Sequence, residues 1–204
     1  MRILILAAWL PAAAMAGTSA AAQVASAPSE RPIDESAELW DAPSRLDAQR
    51  EAMKALAFMD GAWKGMVDTG TPAGALVQTE RVGPLLDGTV KLVEGRGHDV
   101  TGKVMFNAFA VISYDPVKRR YSMRSYAMGY AGDFPLTVRP DGFSWSHPAE
   151  PGVAMRYTAT IKDGQWHEIG ERVVGNGKPV KMLEMRLRRL GASTWPQAGA
   201  VELR

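Results

Sequence analysis

The chain has 204 residues, of which 46% are hydrophobic and 23% charged, with a formal net charge of +2 and no cysteine. That composition belongs to a soluble globular domain and excludes global disorder, a disulfide framework, thiol chemistry and anchoring through a lipidated cysteine. With 24 Lys and Arg residues against 22 Asp and Glu, no charge field marks a nucleic-acid or membrane-surface partner.

The pair Met1-Arg2 gives a positive start, residues 3–10 form a short apolar run, and Ala14-Met15-Ala16 and Ala20-Ala21-Ala22 offer small-residue cleavage sites. This is the pattern of a secretory signal peptide over residues 1–22. The run is far shorter than the ~20 residues a membrane helix needs, and no later segment is continuously apolar at that length, so no transmembrane span is expected. Cleavage leaves a chain large enough to bury roughly 70% of its unfolded surface without disulfides. The expected location is periplasmic or secreted.

Residues 23–43 have the Ala, Ser, Pro and acidic composition of a flexible linker. Residues 44–59 then read as a short amphipathic helix, with Ser44 as N-cap and Leu46, Met53, Leu56 and Ala57 near helical spacing, stopped by Asp60-Gly61. A helix this short needs a surface to pack on.

Beyond Gly61, strand-length runs fall at about 62–68, 75–82, 89–98, 103–114, 120–128, 134–138, 143–147, 153–161, 165–174 and 180–190. The breaks carry turn chemistry at Asp87-Gly88, Thr101-Gly102, Asp115-Pro116, Pro140-Asp141-Gly142, Asp163-Gly164 and Asn176-Gly177. Such short breaks forbid parallel crossovers and imply an antiparallel meander. A meander of about ten strands leaves two long edges unless it closes, so the fold expected over residues 44–190 is an all-β, up-and-down barrel with a short N-terminal helix, and a tail over 191–204. A two-sheet sandwich is the alternative.

Alternation suggests what fills the barrel. Leu76, Gln78, Glu80 and Val82 share one face, as do Val90, Leu92 and Glu94, and Met155, Tyr157, Ala159 and Ile161. If the apolar rows point inward, Glu80 and Glu94 go with them. The run 103–114 is apolar on both faces, so its outer face calls for cover by the 44–59 helix or by a second subunit, a possible homodimer.

Gly61-Ala62-Trp63 at the first strand, with the arginines of Met185-Arg186-Leu187-Arg188-Arg189 on the last, resembles the calycin and lipocalin signature. The order of "GxWxG" (61–65), Glu80-Arg81, Leu85-Leu86-Asp87-Gly88, Glu94 to Gly97, Tyr114-Asp115-Pro116 and a closing arginine is similar to a bacterial barrel family of unknown function, over about residues 56–190. The resemblance implies a lipocalin-like barrel, often hollow, whose Trp63 is covered by Arg186 or Arg188. The related nitrobindin-like barrels hold heme through a histidine shortly before the last strand. Residues 177–186 contain none, and His167 lies one strand earlier, so heme is a minor alternative.

His98, His147 and His167 fall on separate segments without metal-ligand spacing and read as surface or rim histidines; no metal or cofactor is expected. Nucleophile-elbow, Walker and dinucleotide patterns are absent. The candidate ligand-binding residues are Glu80, Glu94, Tyr114, Tyr157 and Trp166, a mixed lining suited to a small, partly apolar molecule. The function expected is a non-enzymatic carrier or sensor. The alternatives are a cavity enzyme using a buried glutamate as acid or base, and a structural envelope domain.

Overall fold

The computed structural model describes residues 42–70 and 74–196. The expected signal peptide, nearly all of the expected linker and residues 197–204 lie outside them. Helix α1 spans Ala42–Lys54, and a 3-10 turn follows at Ala57–Met59. The helix starts before Ser44, which therefore sits inside it rather than capping it.

Ten antiparallel strands follow: β1 Gly61–Asp68, β2 Ala75–Leu85, β3 Val90–His98, β4 Val104–Asp115, β5 Arg120–Ala127, β6 Tyr130–Arg139, β7 Gly142–Glu150, β8 Val153–Lys162, β9 Gln165–Val174 and β10 Val180–Gly191. Each pairs with its sequence neighbour, and β10 pairs with β1, closing an up-and-down barrel with no free edge. β6 begins at Tyr130, earlier than the sequence suggests, because Met128 and Gly129 both adopt positive φ (50° and 88°) and make a tight hairpin turn. At two other breaks an aspartate acts through its side chain. Asp99 Oδ1 accepts the Thr101 and Lys103 N–H groups at 2.8 and 3.1 Å, and Asp115 Oδ1 those of Val117 and Lys118, both at 3.0 Å.

One end of the barrel is closed. Met53, Leu56 and Met59 are buried in one cluster with Trp63, Ile112 and Trp166. Around them the helix is tied to the strand ends: Gln49 donates to the Tyr114 carbonyl (2.9 Å) and Tyr121 Oη to the Ala52 carbonyl (2.7 Å). Trp63 is 2% exposed and donates from Nε1 to the Met59 carbonyl at 2.9 Å, so it pins the 3-10 turn onto the floor. The helix thus plugs the end of the barrel instead of covering the outer face of β4.

The closing arginine is neither Arg186 nor Arg188. Arg186 is on the outer wall beside Glu184, and Arg188 is exposed. Arg189, on the same face of β10 as Met185 and Leu187, is the cross-strand partner of Trp63, and its guanidinium donates to the Asp60 carbonyl from Nε and Nη2 at 3.1 and 3.0 Å. Arg186 and Arg188 pair with Met66 and Lys64 on the opposite face of the pleat, and the ladder turns irregular only beyond them, where Leu190 is skipped between Arg189 and Gly191. Outside the barrel, Trp195 and Pro196 cross β2 at Gly83, where a Cβ would lie 2.2 Å from the Trp195 carbonyl oxygen, and Arg81 stacks on the Trp195 ring at 4.9 Å. Among the described residues no helix is long and apolar enough to cross a membrane.

Candidate functional site: an acid-bearing lumen

Above the plugged floor the barrel encloses a cavity of about 250 Å³. It runs from Met59, Phe143 and Trp166 at the floor to Thr69, Ala127 and Tyr130 at the opposite rim, where Tyr130 is 43% exposed. The mouth therefore opens at the end away from α1.

Three inward glycines make room for the polar lining. Glu80 on β2 faces Gly95 on β3, Gln78 faces Gly97, and Tyr157 on β8 faces Gly170 on β9. A Cβ at Gly95 would lie 2.7 Å from Glu80 Oε1, one at Gly97 3.0 Å from Gln78 Oε1, and one at Gly170 2.9 Å from Tyr157 Cε1. The side chains of β2 and β8 thus lie flat across their neighbours' backbones, as only glycine permits at so close an approach.

Glu80 is 8% exposed and accepts a hydrogen bond from Gln78 Nε2 at 2.7 Å through Oε1. Burial pushes its pKa up to about 8 against the Gln78 hydrogen bond, with the negative charges of Glu168 and Glu94 adding to the rise. Glu168, on β9, also lines the cavity and accepts from Trp166 Nε1 at 3.1 Å. Enclosure raises its pKa to about 7, opposed by the Trp166 hydrogen bond. Tyr157 is raised to about 12, by burial first and then by the Glu168 charge.

The opposite wall is aromatic. Trp145 stacks on Tyr157 with centroids 4.4 Å apart and planes within 12°, and His147 lies 6.0 Å from Tyr157 and 5.8 Å from Phe134. His147 is 5% exposed and hydrogen-bonds through Nδ1 to the Pro148 carbonyl at 3.0 Å. At the floor, Trp166 meets Trp63 and Phe143 edge-on at 5.7 and 5.9 Å.

Of the residues expected from sequence, Glu80, Tyr157 and Trp166 line this cavity. Glu94 does not. It is on the outer wall between Arg81 and Arg96; partial desolvation would raise its carboxyl, but hydrogen bonds and charge from those two arginines hold it below its usual value. The pairing Glu80↔Gly95 fixes the inward face of β3 as Lys91, Val93, Gly95 and Gly97, so the row Val90, Leu92, Glu94 points out. Tyr114 packs on Tyr121 (4.9 Å) at the helix-plugged end and is not part of the lining. His147 is a lumen residue rather than a surface one. His167 is on the outer wall, bonded through Nε2 to Glu184 Oε1 at 2.8 Å, so it offers no ligand to the interior. Glu168 and His147 were not singled out as site residues, yet both follow from alternation, since Glu168 shares the face of Trp166 and His147 that of Phe143 and Trp145. Among the described residues no group of three or more His, Asp or Glu side chains could hold a metal ion.

The chain is similar in structure to the crystal structure of Rv2717c from M. tuberculosis, with a TM-score of 0.51 and 12% identity over 69% of this chain and 98% of that one. At that identity the likeness concerns the barrel alone. No family model matches the chain, and no curated protein matches it by sequence.

Proposed function

We propose that this protein is an exported carrier or sensor that holds a small, partly apolar molecule in the barrel lumen. The observation that carries the reading is the cavity of about 250 Å³, lined by Phe, Trp, Tyr and Met side chains around Glu80, Glu168 and Gln78. A concave, mostly apolar space with a few convergent polar groups suits a small ligand and is wasted in a purely structural barrel. Export rests on the leader of residues 1–22, and the motif order resembling bacterial lipocalin-like barrels of unknown function agrees with both.

Native mass spectrometry of protein purified from its own compartment tests the reading: a stoichiometric small-molecule mass supports it. An empty protein that binds nothing from an extract of the same cells contradicts it.

One observation favours a second reading, acid-base catalysis. Glu80 and Glu168 titrate near neutral pH inside one lumen, as a proton donor and acceptor would. The two readings separate on the fate of the bound molecule, since a carrier returns it unchanged and an enzyme does not.

A further inference from the structure

Among the described residues, the lumen holds two carboxyl groups and no countercharge. Its lining residues include Glu80 and Glu168 but no lysine or arginine. Lys91, the inward-facing cation of β3, is at the plugged end, where it is paired with Asp60. The donors that reach the two carboxyls, Gln78 Nε2 and Trp166 Nε1, are neutral, and each serves a single oxygen. Glu80 is more than nine-tenths buried, and its Oε2 receives no hydrogen bond from the described residues. Buried acids without a cationic partner are costly, and a ligand that supplies the cation removes the cost. Facing them, Phe134, Trp145, His147 and Tyr157 present ring faces suited to an aromatic body and to cation–π contact.

Resting on the carrier reading, we propose that the lumen is a proton-exchanging site for small aromatic ammonium ions, which load at neutral or higher pH and are released on acidification. The ammonium group keeps its protons and makes no covalent bond. One carboxyl O–H bond breaks as the cation enters, the proton leaves through the mouth to solvent, and the carboxylate formed accepts N–H hydrogen bonds from the ligand. Acidification reverses the exchange by returning the proton to the carboxyl. The other titratable side chains on this space are His147, Tyr130 and Tyr157, the last held as a neutral phenol by burial and by the Glu168 charge. On the outer wall, Glu94 is already paired with Arg81 and Arg96.

Isothermal titration of the mature chain with 2-phenylethylamine, 2-phenylethanol and 3-phenylpropanoate, in buffers of different ionisation enthalpy, tests this. The amine is expected to bind at least tenfold more tightly than the alcohol, with about one proton released and an affinity that falls about tenfold per pH unit between roughly pH 7 and 5.5. The acid is expected not to bind. In Glu80→Gln/Glu168→Gln, with the fold checked by circular dichroism, amine and alcohol should become equal and the pH dependence should vanish; the wild-type pH profile stands as the test should that variant not fold. Equal, pH-independent binding of amine and alcohol to the wild type overturns the ammonium proposal and leaves the carrier reading intact. Binding of none of the probes also overturns it, and the carrier reading is then decided by the co-purifying mass.

Discussion

Glu80 lies flat over Gly95 on the neighbouring strand, so closely that a methyl group at Gly95 would fall 2.7 Å from one carboxyl oxygen and 2.8 Å from the other. The backbone of Gly95 is not in the left-handed region, so the glycine is required for space alone. Gly95→Ala should therefore cost about 1–3 kcal/mol by overpacking and push the carboxyl into the lumen. In a Glu80→Ala background the same change should be nearly neutral. Urea unfolding of the double-mutant cycle measures the coupling; additive losses would show that the two residues do not compete for this space.

Stability should depend on pH in an unusual direction. Glu80 and Glu168 are raised from 4.5 to about 8 and about 7, so between those values the folded state holds protons that the unfolded chain has lost. Stability from these groups is then fully present below about pH 4.5 and declines as pH rises toward 8. Glu184, lowered to about 2 first by hydrogen bonds from Lys181 and His167, acts in the opposite sense, but only below 4.5. Glu80→Gln should flatten the decline and raise stability at pH 8 relative to the wild type. A stability that climbs steadily from pH 5 to 8 would contradict the enclosure of these two acids without a cationic partner.

The two glutamates expected together from sequence should behave differently. Glu94→Gln breaks an outer-wall cluster with Arg81 and Arg96 and should cost at most about 1 kcal/mol, leaving ligand binding unchanged. Glu80→Gln should weaken ammonium binding at least tenfold, as read by quenching of lumen tryptophan fluorescence. Equal effects of the two substitutions on binding would place the site elsewhere.

Trp63 anchors the plug through its hydrogen bond to Met59 and its edge-on contact with Trp166. Trp63→Ala should destabilise the domain by ~3–5 kcal/mol, measured by chemical denaturation. A loss below about 1 kcal/mol would mean that the floor is held by the helix contacts alone.

The barrel was legible in the sequence because its breaks are written in turn chemistry. Asp87-Gly88, Asp163-Gly164 and the aspartate-led turns fix where strands end, and short connections force neighbours to pair. The register of β3 was not legible. Val90 and Leu92 mark one face as apolar while Val93 and two glycines mark the other, and only pairing with β2 shows that the glycines face inward beneath Gln78 and Glu80. The burial of outer-wall Leu92 also has a tertiary neighbour beside it, since its cross-strand partner Gly83 carries the Trp195 segment. Arg189 was missed for a related reason, because Arg186, Arg188 and Arg189 fall on both faces of β10 and only the pairing with β1 shows that Arg189 shares the face of Trp63. Glu168 and His147 were within reach of simple alternation and needed only the pleat of β9 and β7 followed to its end.

The most direct test of the lumen as a ligand site is native mass spectrometry of the protein from its own compartment beside Ala108→Trp, a substitution at the cavity wall that fills the space without replacing either acid. A stoichiometric small-molecule adduct on the wild type, absent from a folded Ala108→Trp, is the predicted result. An adduct retained unchanged when the lumen is filled, or no adduct on the wild type, would contradict the account.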